Sequence, residues 1–343
     1  MPRRIKKILQ ALISFLVAGV FLYLAFKDTK FSDLWESLTQ VQYVWVVLLV
    51  PVGLLSHYVR GVRWSYLLRP VKRGISHRNL FSAVMIGQMM NNVLPRLGEL
   101  VRCYGLGRSE RMAITSVLGT VVVERILDLL IFALMICGVV YFYPAVLLPF
   151  VENTDVVRPL LLFGSIASFL VLILLFFKGE TIFMILKFVQ PIVPRGFREK
   201  YERSIEGFLS GFKIARMSDT FLPILLLSFF MWFMYAVSLY MAFLAFRDPI
   251  LLNLGFDAAI ILLTASTIAF ILPAPGAMGT YHSFLTVALV QLYGVDSVMA
   301  LSYSVVTHEV GYIVTTAVGL YYFLKDHLHI SEAEQAAQQS AKP

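Results

Sequence analysis

The sequence predicts an all-α polytopic membrane protein, with about six full transmembrane helices and two re-entrant helical hairpins in an inverted repeat. Three observations predict it. Hydrophobic residues fill 59% of 343 positions and charged residues only 15%, well below the charged share of a soluble domain. Six apolar runs approach or exceed the roughly 20 residues that a bilayer crossing needs. Two further regions are too short and stop at proline–glycine breaks.

The first run, 8–26, follows the basic stretch Met1-Pro2-Arg3-Arg4-Ile5-Lys6-Lys7. It resembles a signal peptide, but it is long and no small-residue cleavage site follows, so an uncleaved first span is expected. The other full spans are expected at 43–60, 115–143, 158–177, 221–246 and 298–323. Residues 80–94 run into Asn91-Asn92-Val93-Leu94-Pro95-Arg96-Leu97-Gly98-Glu99. Residues 257–272 stop at Pro273-Ala274-Pro275-Gly276-Ala277-Met278-Gly279, and a short run, 280–293, follows. Proline removes a backbone donor and glycine loosens the chain. Irregular backbone at membrane depth must be buried in protein or line a cavity, which makes both regions candidate hairpins. The polar tail, 331–343, is expected to be disordered.

The net charge of +8 could point to nucleic acid or to a membrane surface, and its distribution favours the membrane. Segment 60–79 carries Arg60, Arg63, Arg69, Lys72, Arg73 and Arg78 with no acid, while the loops 27–42, 144–157 and 247–256 are richer in Asp and Glu. Excess positive charge marks cytoplasmic loops, so both termini are expected inside, in the cytoplasmic membrane of a prokaryote. Segment 178–216 alternates Phe183, Leu186, Ile192, Phe197, Ile205, Phe208 and Phe212 with basic residues, as in an amphipathic interfacial helix pair on anionic lipid. Arg60-Gly61-Val62-Arg63-Trp64 reads as an interfacial anchor. No nucleic-acid partner is expected.

Aligning Pro95 with Pro273 brings the two breaks into register, and Val121-Val122-Val123-Glu124-Arg125 then falls near Val305-Val306-Thr307-His308-Glu309. The 1–330 membrane domain thus divides into repeat one, about 43–143, and repeat two, about 221–323. By the charge pattern the copies enter the membrane from opposite sides. Paired broken helices in inverted repeats are an architecture of alternating-access transporters.

Candidate binding residues fall in these motifs. An isolated charge inside a span costs roughly 2.5–3.5 kcal/mol, so Glu124, Arg125 and Asp128 should face the bundle interior. Thr120, Glu124 and Asp128 share a helix face, and Arg125 can pair with Asp128 at i+3. At the first break Asn91, Pro95, Arg96, Gly98, Glu99 and Arg102 combine a helix end with guanidinium donors suited to a phosphate or carboxylate. Pro273, Pro275, Gly276 and Gly279 mark the second break, Tyr281 and His282 follow it, and His308 with Glu309 beside it falls on the helix face that matches Glu124. Asn91 and Asn92 could cap the break or touch ligand. Cys103 and Cys137 carry no metal-ligand spacing, and no cofactor is expected. No G-x-S-x-G, P-loop or H-E-x-x-H motif occurs, so no enzyme activity is expected.

Asn91-x-x-x-Pro95-x-x-Gly98-Glu99-x-x-Arg102, Glu124-Arg125-x-x-Asp128 and Pro273-x-Pro275-Gly276-x-x-Gly279 together resemble the flippase-like family, also called the lysylphosphatidylglycerol synthase transmembrane-region family, over about residues 8–325. In relatives this domain is joined to a soluble aminoacyltransferase and is thought to move aminoacylated phosphatidylglycerol between leaflets; others serve isoprenoid-linked sugar or glycolipid pathways. The resemblance implies a lipid flippase or lipid-binding transporter for an anionic phospholipid or lipid-linked head group. The soluble domain is not found here, so synthase activity is not carried over. Many relatives have a glycine pair and a nearby glutamate at the second break, where this chain has Gly276-Ala277 and Tyr281-His282. Two rivals from the residues alone are a transferase acting on a lipid-linked sugar and a membrane partner that recruits a lipid-modifying enzyme.

Overall fold

A computed structural model describes residues 3–94, 97–147, 153–189 and 218–326. Pro95, Arg96, most of segment 178–216 and the tail 331–343 therefore lie outside the described residues. The helices are α1 (Arg3–Phe26), α2 (Phe31–Thr39), α3 (Tyr43–Leu68), α4 (His77–Val93), α5 (Leu97–Glu110), α6 (Ile114–Phe142), α7 (Thr154–Val189), α8 (Ser218–Phe243), α9 (Pro249–Asn253), α10 (Phe256–Ile271), α11 (Thr280–Tyr293) and α12 (Ser297–Lys325). Among the described residues no strand occurs, so the all-α expectation holds.

Four stretches are long and apolar enough to cross a membrane: Tyr43–Leu68, Ile114–Phe142, Thr154–Val171 and Thr220–Phe243. A fifth counts if Leu12–Phe26 and Phe31–Thr39, bent by 80°, act together. The expected sixth, α12, is long enough at 29 residues but less apolar, for a physical reason. Ser302, Ser304, His308 and Thr315 lie buried within the protein, while Ile313, Leu320, Tyr321 and Leu324 face outward. Lipid contact needs only one apolar face when the polar one is sequestered. The outward surfaces of α1, α3, α7 and α8 are likewise apolar, with Phe15, Leu16, Val44, Val47, Leu160, Phe163, Leu226 and Phe233 all exposed. Apolar area on that scale marks a surface that meets something other than water.

Helices α4 and α5, of 17 and 14 residues, span roughly 25 and 21 Å at 1.5 Å per residue, less than the hydrocarbon thickness. They pack against each other as a hairpin. Gly87 and Gly98 make the approach possible: a Cβ on Gly98 would lie 2.0 Å from the Gly87 carbonyl oxygen. The second hairpin joins α10 and α11 in the same way, of 16 and 14 residues. The two units pack reciprocally. Span α3 lies on span α8, α4 lies on α12, and α10, the counterpart of α4, lies on α6, the counterpart of α12. That reciprocity is what a pseudo-two-fold repeat requires.

Each unit has its own core. Trp64, Leu67, Leu68, Leu80, Cys103, Leu106 and Val121 fill the first, with Ile224 of α8 reaching in. In the second, Tyr303 stacks on Phe243 at 5.2 Å and donates to the Leu239 carbonyl at 2.7 Å. At the far end of α5, Glu110 accepts from Asn79 Nδ2 (2.8 Å), the Ser76 N–H (3.2 Å) and Lys72 Nζ. Burial pushes its carboxyl up, but these hydrogen bonds outweigh burial and hold it below the usual carboxylate range. Cys103 and Cys137 are free thiols.

Glycine contacts give a direct test of the hairpin. Gly98→Ala must push α4 and α5 apart and should lower stability by about 1–3 kcal/mol, the usual cost of overpacking. Gly138→Ala and Gly164→Ala, where an added Cβ meets nothing within 4 Å, serve as controls. Thermal unfolding of the purified protein in detergent reads the difference. Equal melting temperatures for Gly98→Ala and the controls would contradict the close crossing.

Candidate functional site

The first unit encloses a charge cluster built from three helices. Glu124 of α6 is 0% exposed. Its Oε1 accepts from Arg60 Nε at 3.0 Å and lies 3.2 Å from Arg63 Nη2, while its Oε2 accepts from Arg102 Nη2 at 3.0 Å. One turn on, Asp128 accepts from Arg63 Nη1 at 2.7 Å and from Arg60 Nη2 at 3.2 Å. Arg63 Nη1 also donates to Ser228 Oγ of α8 at 3.0 Å, so the cluster pins the second unit's first span to the first unit. Trp64 supports the arrangement twice: its ring lies under the Arg102 guanidinium at 4.8 Å, and its Nε1 donates to Thr120 Oγ1 at 2.9 Å.

Two sequence expectations change here. Arg60, Arg63 and Trp64 are not an interfacial anchor: Arg63 and Trp64 are 0% exposed and Arg60 is 7% exposed. The reason is that α3 continues to Leu68 and presents its Arg60–Arg63 face to the acids of α6. The signal was in the sequence, since Arg60 and Arg63 stand at i, i+3 with Gly61 between them. Gly61 itself faces α4, where an added Cβ would sit 3.6 Å from Leu80, an ordinary contact. The second change concerns Arg125. It stands 3.8 Å from Asp128, but its shorter contact is Nη2 to Glu99 Oε1 at 2.7 Å. Asp128 is already engaged by two arginines of α3, and Arg125 turns to the hairpin instead.

The cluster is dry on one side and open on the other. The Arg125 and Glu99 side chains are 40% and 24% exposed, against 4% for Arg102. Among the described residues four guanidiniums (Arg60, Arg63, Arg102, Arg125) face three carboxylates (Glu99, Glu124, Asp128), leaving one positive charge in excess. Arg63 Nε, Arg102 Nε and Glu99 Oε2 are buried atoms without hydrogen-bond partners.

The hairpin tips meet each other. Asn91 caps: its Oδ1 accepts from the Gly98 N–H at 2.9 Å, occupying a donor at the start of α5. Asn92 bridges: its Nδ2 donates to Thr316 Oγ1 (2.9 Å), Thr315 Oγ1 (3.1 Å) and the Tyr312 carbonyl (3.3 Å) of α12. A Cβ on Gly276, in the second break, would fall 3.3 Å from Asn92 Cα and 2.7 Å from the Tyr312 ring. Gly276 and Gly279 have φ of 55° and 78°, and Ala277 holds φ 57°, an unusual conformation for a residue with a Cβ. Gly279 also allows α1 to pass, since a Cβ there would lie 2.6 Å from the Ala18 oxygen and the Leu22 nitrogen. Pro275 is buried in this turn, whereas Pro273 is exposed.

Tyr281, His282, His308 and Glu309 gather beside the second break. His308 Nε2 contacts the Gly276 carbonyl at 2.8 Å and its Nδ1 lies 3.0 Å from Glu309 Oε1. His282 Nδ1 accepts from the Gly279 N–H at 3.3 Å, and its Nε2 lies 3.5 Å from the same Glu309 oxygen. Tyr281 donates to Thr307 Oγ1 at 3.1 Å. Nitrogen and oxygen atoms of His282, His308 and Glu309 come within 4.8 Å of one another, close enough for a metal. The hydrogen bonds argue against one. With Nδ1 accepting from Gly279, a neutral His282 carries its proton on Nε2, the atom that would have to ligate.

A polytopic helical membrane protein, with two broken-helix hairpins meeting inside and fixed charge enclosed beside them, is the class that fold and site define. The family model described as Lysylphosphatidylglycerol synthase TM region matches residues 11–319, and the chain belongs to that family. It is similar to two UPF0104 membrane proteins of Methanothermobacter thermautotrophicus. One is 24% identical over 311 residues, covering 84% of this chain and 87% of the relative; the other is 26% identical over 290 residues, 80% of each. A UPF0104 membrane protein of Methanocaldococcus jannaschii is 24% identical over 214 residues, 60% of this chain and 63% of the relative. No solved structure matches.

The cluster predicts unequal couplings. Removing one member of a buried pair typically costs about 3–5 kcal/mol, because the survivor stays charged and unpaired. Asp128→Asn should therefore destabilise strongly through Arg63 and Arg60. Glu99→Gln, at the open edge, should cost no more than about 1 kcal/mol, as for exposed ion pairs. Melting temperatures of the two variants in detergent check the order; a larger loss for Glu99→Gln would reverse the description of the cluster.

Proposed function

We propose that the protein is a lipid flippase or lipid-binding transporter that moves an anionic phospholipid or a lipid-linked head group between leaflets by alternating access. One observation carries the reading: the enclosed cluster holds more guanidinium than carboxylate, and its open edge is the Arg125–Glu99 pair beside the first hairpin. A phosphate arriving there would meet a planar donor fork whose present partner is the partly exposed Glu99 carboxylate. Exchange of Glu99 for a lipid phosphate keeps Arg125 partnered, turns Glu99 out toward the open edge and leaves the acyl chains in the bilayer. Arg102, stacked on Trp64, is held for the same task from below.

Meeting hairpin tips support the movement. Contacts between the units at the tips are hydrogen bonds through Asn92 and van der Waals contact at Gly276, a junction that can shift more readily than either apolar core. The protein would sit in the cytoplasmic membrane of a prokaryote with both termini inside, as Arg69, Lys72, Arg73 and Arg78 beyond the end of α3 favour. Transport leaves lipid chemistry unchanged, so reconstituted protein should yield no new lipid species on chromatography.

Two experiments test the reading. In proteoliposomes, transbilayer movement of a labelled anionic phospholipid should fall for Arg125→Ala and Arg102→Ala. Arg102→Lys should lie between wild type and Ala, because lysine keeps the charge and loses the fork. Movement that is the same in wild type and both alanine variants would defeat the head-group site. Cysteines at Ser32 and Asn153 should react with an impermeant reagent from outside, and one at Ser76 should not. Outside labelling at position 76 would overturn the orientation.

A further inference from the structure

The tautomers in the second-break network can be assigned one atom at a time, and they leave one proton over. Gly276 offers only a carbonyl oxygen to His308 Nε2, at 2.8 Å, so that nitrogen must carry hydrogen. A neutral His308 would then present a bare lone pair on Nδ1. Opposite it, at 3.0 Å, stands Glu309 Oε1. Two lone pairs at that separation repel; a proton between them makes a charge-assisted hydrogen bond instead. His282 cannot supply it by sharing, because the Gly279 N–H occupies its Nδ1 and its single proton on Nε2 already points at the same oxygen from 3.5 Å.

We infer that His308 and Glu309, backed by His282, form a proton-binding site whose occupancy is felt at the second break. With the proton bound, an Nδ1–H of His308 donates to Glu309, and Nε2–H holds the Gly276 carbonyl. When the proton leaves to water, the pair becomes neutral imidazole against carboxylate, and the attraction that aligns His308 with Gly276 is lost. Glu309 has the required access, since its side chain is 32% exposed while the two imidazoles are 2% and 4% exposed. Among the described residues the two imidazoles are the titratable side chains in contact with Glu309.

Among the described residues, the surrounding elements bring other polar groups but no rival base at this distance. From α11, the Tyr281 ring lies 5.0 Å from His308 and its hydroxyl is committed to Thr307. From α12, Tyr312 stacks 5.8 Å from His308 and turns its hydroxyl to the Asn92 carbonyl of α4 at 3.4 Å. From α1, Phe26 covers His282 at 6.0 Å. From α10, Phe270 packs on Tyr281 at 5.9 Å. Ala277, which carries a Cβ, holds φ 57° in this turn, and hydrogen bonds from His308 to the Gly276 carbonyl and from the Gly279 N–H to His282 fix the glycines on either side of it. A backbone held out of its preferred wells persists only while its surroundings over-determine it.

The site itself does not depend on the lipid-transport reading, but its use does: if lipid moves, its movement is linked to a proton. Full-length protein carrying ¹⁵N-histidine in nanodiscs gives the direct measurement, between about pH 5 and 8 where histidines change charge. Wild type should show an imidazolium, or a protonated Glu309 carboxyl by infrared, whose signal is absent in His308→Gln. In Glu309→Gln, a conservative change that keeps the fold if His308→Gln does not, the imidazolium signal should vanish at a lower pH than in wild type, because the carboxylate that holds the proton is gone. A neutral His308 facing an ionised Glu309 throughout that range, or one equivalent of tightly held divalent metal removed only by chelator, would overturn the proposal. In proteoliposomes of anionic phospholipid, an imposed pH gradient should change the rate of lipid movement several-fold in wild type and leave Glu309→Gln indifferent. Equal response in both would overturn the coupling. Absence of lipid movement in wild type, with the proton signal present, would instead defeat the transport reading and leave the proton site standing.

Discussion

Everything in the first unit depends on keeping Glu124 ionised and paired inside a lipid-facing protein. A carboxylate with no exposed surface is tolerated only when its attraction to several guanidiniums offsets its desolvation, and here Arg60, Arg63 and Arg102 converge on it from two helices. That requirement fixes the positions of α3, α5 and α6 relative to one another. It also explains the close approaches around it. Gly87 with Gly98 brings α5 to α4, so that Arg102 reaches its acid. The apolar cores add area, but a displaced helix would leave a charge unpaired, which costs more than a displaced leucine.

The same constraint rules the breaks. Backbone groups at the ends of α4, α5, α10 and α11 have no water to bond at membrane depth and must be satisfied from within. Asn91 answers for one N–H of α5, and His282 answers for Gly279. His308 does so for the Gly276 carbonyl and Asn92 for carbonyl and hydroxyl groups of α12. Each tip is therefore closed by side chains rather than by regular helix bonding. A contact made by side chains has alternatives, which a helix interior lacks.

Much of this was legible in the sequence because membranes amplify patterns. Short runs ending in Leu-Pro and glycine could hardly be ordinary spans, and Glu124, Arg125 and Asp128 could not face lipid. Pairing was harder to read. Helical spacing offered Arg125 to Asp128, yet Asp128 is claimed by Arg60 and Arg63, more than sixty positions earlier in the chain. Nothing local announces a partner at that distance. Arg60-Gly61-Val62-Arg63-Trp64 has the composition of an interfacial belt, and only the reach of α3 to Leu68 shows that it lies inside. The length of α12 was clear, but its mixed polarity concealed that the polar half packs on α4 and α11.

The two units keep the same plan and differ in chemistry at corresponding positions. Where the first has Glu124 and Arg125, the second has His308 and Glu309, at the alignment offset that places the two helices in register. Arginine stays charged at any physiological pH, so the first cluster is permanent and suited to holding a permanent anion. Histidine changes charge within that range, so the second is conditional. The conditional cluster lies at Gly276, which meets Asn92 of the first unit, and there Tyr281 and His282 enclose a charge that can change instead of contributing another fixed one.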